Sequence, residues 1–157
     1  MTPQLSSRAN AAKNKKDAVS NIEALLLQQG YEFTPGPNFL KAKSDKRALY
    51  STKFDLGSTL YGTPRSVDFV LYHPTRYPDL LAIEIHWQQV SGTADEKLPY
   101  FALTIRHATK PVKTVMVLGG DGFRDCAKRW LIGQKDDRTL VEVLDLVELF
   151  LWAKGNL

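Results

Sequence analysis

The segment LLAIEIHW, residues 80–87, constrains the fold more than any other part of the chain. Leu81, Ile83, Ile85 and Trp87 alternate with Ala82, Glu84 and His86, and a period of two is the mark of a β-strand. Alternating large apolar residues call for a covered strand, so a carboxylate is carried into or beside a core. A charge there is costly unless something compensates it. The same period sets Glu84, His86 and Gln88 on one face, with successive members about 6–7 Å apart. Such a row can present a metal ligand, a proton-handling group and an amide to one bound phosphate.

The rest of the chain builds an α/β pattern around this strand. A helix is expected over residues 11–29, ending at Gly30, with Val19, Ile22 and Leu26 as its core stripe. Residues 34–47, punctuated by Pro35, Gly36 and Pro37, read as loop. Strand-like runs at 48–55 and 66–72 flank GSTLYGTP and suggest a hairpin with a long tip, followed by a loop over 73–79 around two prolines. After the central strand, VSGTADEK leads into a helix carrying Leu98, Phe101, Ala102 and Ile105. Pro99 requires that helix to begin near residues 95–97. A buried strand is expected over 113–118, then a helix with Phe123, Cys126, Ala127 and Trp130 on its apolar face, then a strand over 140–144. Asp145 and Glu148 have the spacing of a capping box for a last helix. The order α-β-β-β-α-β-α-β-α predicts a mixed sheet with helices on both faces. At 157 residues the whole chain fits one domain, with residues 1–10 expected to be flexible.

Composition narrows the chemistry. The single cysteine, Cys126, excludes an intrachain disulfide and a cysteine-based zinc site. No apolar run approaches membrane-spanning length, and the first residues lack the hydrophobic stretch of a secretory signal, so an intracellular location without membrane association is expected. A net charge of +4 permits a polyanionic partner. The glycine-rich LGGDGF after the 113–118 strand matches neither dinucleotide nor P-loop spacing, so no nucleotide cofactor is expected. His73 and His107 have no zinc-type partner spacing, and no Gly-x-Ser-x-Gly elbow occurs. Hard carboxylate oxygens from Asp68 and Glu84, with the Ile85 backbone carbonyl as a third donor, suit Mg²⁺, with Mn²⁺ as a substitute.

With Asp68 in SVDFV, the tripeptide Glu84-Ile85-His86 and Glu23 on the first helix, the chain resembles the PD-(D/E)XK nuclease superfamily over about the whole domain. In that family an acid closes the second strand, an E-x-K tripeptide lies on the third, and a glutamate often projects from the first helix. The tail WQQVSGTADEKLPY also resembles the segment that follows the tripeptide in some nuclease families. The resemblance implies a restriction-endonuclease-like core and metal-dependent hydrolysis of DNA. It implies Asp68 and Glu84 as metal ligands, His86 or Lys97 as the group assisting the water, and Glu23 and Gln88 as supports. Two departures stand out: Val67 precedes Asp68 where the family pattern has proline, and His86 stands where it has lysine.

Plainer readings stand beside these. Glu84 and His86 would suit a solvent-facing strand edge, Asp68 the end of a hairpin ladder, Glu23 a helix rim, Gln88 a strand terminus and Lys97 a helix surface. DNA contacts are expected from Lys41, Lys43, Lys46 and Arg47, and from the N-terminal group Arg8, Lys13, Lys15 and Lys16. Tyr61, Arg65, Arg76 and Tyr77 lie on flanking loops within reach of DNA. Cutting both strands needs two sites, so a homodimer or homotetramer is expected, with the apolar last helix LVELFLWA as a candidate interface. The competing function is a catalytically inactive DNA-binding subunit that keeps the fold and has lost the lysine.

Overall fold

The structure is a computed structural model that describes the backbone of residues 7–157 and side chains from residue 13 onward. The whole stretch expected to be flexible, residues 1–10 with Arg8, therefore lies outside the described side chains. A single six-stranded sheet carries its strands in sequence order, β1 to β6. The strands are β1 (Glu32–Phe33), β2 (Leu49–Ser58), β3 (Pro64–His73), β4 (Tyr77–Trp87), β5 (Lys113–Gly119) and β6 (Leu140–Leu144). The β2–β3 and β3–β4 pairs are antiparallel; the other three pairs are parallel.

Helices α1 (Ser7–Gln28) and α5 (Leu146–Asn156) cover one face, while α2 (Gly36–Ala42), α3 (Lys97–Arg106) and α4 (Asp125–Ile132) cover the other. Under α1 and α5 lie Phe69, Leu81, Ile83, Ile85, Val115 and Val117. Met116, Leu118 and Val143 face α3 and α4, and Val70, Tyr72 and Ala82 face α2. The mixed sheet with helices on both faces is thus as the sequence predicts. Among the described residues, no helix is long and apolar enough to cross a membrane.

Four expectations need correcting. Helix α2 occupies part of the segment read as loop, because Pro37 falls in its first turn, where a missing N–H costs nothing, and Phe39 is fully buried beneath the helix. Strand β1 pairs with Leu49 and Tyr50 and was missed at two residues long. Strand β4 starts at Tyr77 instead of after the prolines, since Tyr77 pairs with His73 across a tight turn. On α4, Leu131 is the buried residue, while Cys126 and Trp130 are exposed, so neither belongs to the expected apolar face.

Other termini follow their sequence signals. Gly30, at φ +90°, ends α1. Asp145 and Glu148 form the expected capping box, with Asp145 Oδ1 accepting from the Glu148 N–H at 2.7 Å.

Candidate active site

The sheet opens between β3 and β4. Their ladder runs through Leu71↔Leu81 and Val70↔Ala82 to Phe69↔Ile83 and has no further pairs in that direction, although β4 stays paired with β5 as far as Trp87. A strand N–H left without a ladder partner must be satisfied elsewhere. The Ile85 N–H donates to Asp68 Oδ2 at 2.7 Å, so a carboxylate takes the place of a backbone carbonyl. The N–H and C=O of one strand residue lie along the same edge, so the Ile85 carbonyl is directed into the same opening.

The side-chain alternation breaks at the same level. On β3, Phe69 faces α1 but Val67 faces α2, although a strict period of two would put both on one side. On β2, Tyr50 and Phe54 divide in the same way, and Lys53 between them has φ +48°. Lys53 and Asp68 are skipped together in the β2–β3 register, between the pairs Thr52↔Phe69 and Phe54↔Val67. The paired irregularity turns Asp68 out of the sheet's regular pattern into the gap.

Glu84 enters the opening from β4 and is buried, as the covered strand predicts. The compensating charge is Arg65 of β3, whose Nε and Nη2 donate to Glu84 Oε1 at 3.0 and 2.6 Å, with Nη2 also 3.4 Å from Thr114 Oγ1. Burial by itself would raise the Glu84 carboxyl, but His86 and Arg65 outweigh it and hold the carboxyl below its usual range. His86 stacks on Phe101 of α3 with ring centroids 3.8 Å apart and an interplanar angle of 16°. Its Nε2 is buried and makes no hydrogen bond, but it lies 3.5 Å from Glu84 Oε2, close enough to favour that carboxylate when the ring is charged. An unpartnered buried nitrogen beside a carboxylate oxygen is a place for a water or ligand atom.

Asp68, Glu84, Ile85 and His86 line one cavity of about 210 Å³, together with Lys15 and Arg65. An adjoining cavity of about 180 Å³ shares Lys15, Ile85 and His86 and adds Gln88 and Lys97. Asp68, Glu84 and His86 thus share one cavity, and Gln88 and Lys97 join His86 in the adjoining one, whereas Glu23 stands apart. Glu23 Oε1 instead accepts from the Tyr50 hydroxyl at 2.8 Å and lines neither cavity, and burial together with this bond raises the Tyr50 pKa. Helix α1 contributes Lys15 in its place, with Nζ 3.2 Å from Asp68 Oδ1.

The ion pairs of Lys15 and Arg65 were not anticipated. Lys15, Val19, Ile22 and Leu26 fall at i, i+4, i+7 and i+11, so the apolar stripe of α1 already pointed at Lys15. Arg65, expected to contact DNA from a loop, is a β3 residue only 5% exposed, with its guanidinium committed to Glu84. Arg76 lies at the far end of β4, eight residues or about 25 Å of strand from Glu84, and bonds the Leu157 carbonyl oxygen. Tyr77 lies beside it, its hydroxyl donating to the Asn156 carbonyl at 2.7 Å. Arg47 is paired with Glu32 at 2.8 Å, and Lys41, Lys43 and Lys46 lie on or just after α2.

The glycine-rich turn after β5 holds the strand exit. A Cβ on Gly119 would lie 2.1 Å from the Trp87 ring, and one on Gly120, at φ +78°, would lie 2.0 Å from the Gln88 carbonyl oxygen. Backbone bonds tie the two segments, Gln88 N–H to the Gly119 oxygen at 3.0 Å and Gly122 N–H to the Gln88 oxygen at 2.8 Å. The glycines let the end of β4 approach closely and so fix where Gln88 begins.

A family model of the PD-(D/E)XK nuclease superfamily domain matches residues 10–157. No curated protein and no solved structure shows significant similarity to the chain. The chain belongs to the PD-(D/E)XK nuclease superfamily.

Proposed function

We propose that this superfamily member is a divalent-metal-dependent DNA endonuclease whose metal-holding carboxylates are Asp68 and Glu84. The observation that carries the reading is their meeting with the unpartnered His86 Nε2 in one cavity at the β3–β4 opening. The donor set fits a hard cation: two carboxylates and the Ile85 carbonyl suit Mg²⁺, which keeps several waters, with Mn²⁺ as a substitute. Among the described residues no group of three or more His, Cys, Asp or Glu is placed to hold a metal by itself, so substrate and water oxygens would complete the coordination. When bound, such an ion neutralises phosphoryl charge and acidifies water.

The chain's own residues do the rest. Arg65 keeps Glu84 ionised, the Ile85 N–H fixes Asp68, and Phe101 orients the His86 ring. In hydrolysis a water oxygen–phosphorus bond forms as the phosphorus–oxygen ester bond breaks. The water proton passes to a base, for which His86 Nε2 is available, and the leaving alkoxide takes a proton from solvent. Lys97 and Gln88, in the adjoining cavity, are placed to contact the phosphate backbone. Lys41, Lys43 and Lys46 add salt-dependent affinity for DNA. Pairing of two copies for double-strand cutting would use α5, where Val147 and Leu151 are 69% and 63% exposed.

The test is incubation of supercoiled plasmid, long linear duplex and a four-way junction with Mg²⁺ or Mn²⁺, comparing the intact chain with Asp68→Ala. Metal-dependent cleavage that the variant loses while still binding DNA supports the reading. The histidine at the family's lysine position favours one competitor, an inactive DNA-binding subunit. DNA binding without metal-dependent cleavage of any substrate would establish it.

A further inference from the structure

Among the described residues that line the opening, one cation, Lys15, stands at its exposed side and pairs only with Asp68. Phosphodiester hydrolysis passes through a state with added negative charge on the phosphoryl oxygens, and a permanent positive charge held there speeds it. Arg65 is committed, because it is buried and its Nε and Nη2 both engage Glu84 Oε1. His86 carries no permanent charge, and its ring is stacked on Phe101. Lys97 lines only the adjoining cavity. Lys15 lines both cavities, and its side chain is 42% exposed, so its ammonium sits at the open side of the site. Its stem continues the buried stripe of α1, which anchors the apolar methylenes while the charged tip can turn.

We infer that Lys15 is the catalytic cation of this site and that it has two positions: on Asp68 Oδ1 while no metal is bound, and on the scissile phosphate once a divalent cation takes that oxygen. The inference rests on the nuclease reading and deepens it. It has two consequences of opposite sign. Lys15 competes with metal for Asp68, so removing it tightens metal binding. It stabilises the developing charge, so removing it slows turnover. A residue that merely supported the fold would weaken both.

The experiment measures Mn²⁺ affinity by electron paramagnetic resonance titration and plasmid cleavage by kcat and KM, for the intact chain, Lys15→Gln and Lys15→Arg. For Lys15→Gln the expected result is Mn²⁺ affinity raised about 2–5-fold, the scale of a half-exposed ion pair. Its kcat should fall about 100-fold or more with KM nearly unchanged. Lys15→Arg should recover part of kcat, and all three should melt alike. In a chain that cleaves, a Lys15→Gln kcat near that of the intact chain overturns the inference and leaves the nuclease reading standing. Loss of both kcat and Mn²⁺ affinity also overturns it, in favour of a structural lysine. An intact chain that neither binds Mn²⁺ nor cleaves overturns both.

Discussion

The two ends of β4 are built from the same kind of sequence and do opposite things. Around Leu81 and Ile83 the strand is bonded to β3 on one side and β5 on the other, and both side chains are fully buried. Beyond Ile83 only β5 remains as a ladder partner, and the Asp68 carboxylate takes the free Ile85 N–H. At the zipped end backbone pairs with backbone, which leaves nothing to react. At the open end a carboxylate takes a backbone N–H, an arginine balances a buried glutamate, and an imidazole nitrogen is left over. On the proposed reading, the chemistry of this chain sits where the sheet stops being regular, while its packing is densest where the sheet is most regular.

Substitutions at the two ends should break this comparison differently. The largest effect is expected for Glu84→Ala, which leaves the Arg65 guanidinium buried without its counter-charge. Removing one partner of a buried pair costs roughly 3–5 kcal/mol, measurable by urea unfolding. A cost below about 1 kcal/mol would mean that water reaches Arg65 freely. Leu81→Ala at the zipped end comes next, at about 3 kcal/mol for the lost contacts and the cavity left behind. It acts through packing alone, so its cost should be the same at pH 4 and pH 7.

The open end alone should give a distinctive acid response, a smaller effect. The Glu84 carboxyl is held below its usual value of 4.5, so the unfolded chain takes up its proton first as pH falls. The stability contributed by this group is present above about pH 4.5 and is lost as pH drops through the lower folded value. Unfolding free energy followed from pH 6 to pH 3 should therefore fall less steeply in Glu84→Gln than in the intact chain. Parallel slopes would show that Arg65 and His86 do not hold the carboxylate as described.

Much of this contrast was legible in the sequence because it rests on local patterns. The alternation of Leu81, Ile83 and Ile85 fixed β4 as a covered strand, and the same alternation put Glu84 and His86 on the face that lines the cavity. Helix ends marked by Gly30 and by Asp145 with Glu148 were equally readable. What escaped reading depended on tertiary contacts. Helix α2 forms over a proline-punctuated stretch because Phe39 finds a pocket under it, and β1 exists only as the partner of β2. The ion pairs of Lys15 and Arg65 follow from the splaying of β3 away from β4, which no strand period announces. Glu23 was assigned to the site from the resemblance, whereas its position along α1 puts it on Tyr50.

The most direct test of the account is a side-by-side cleavage assay of Asp68→Ala and Leu81→Ala, with rates taken per folded molecule at a temperature where both remain native. Leu81→Ala, though less stable, should cut DNA in Mg²⁺ or Mn²⁺ at close to the rate of the intact chain, while Asp68→Ala should not cut. An Asp68→Ala chain that still cuts would place the chemistry somewhere other than the opening between β3 and β4.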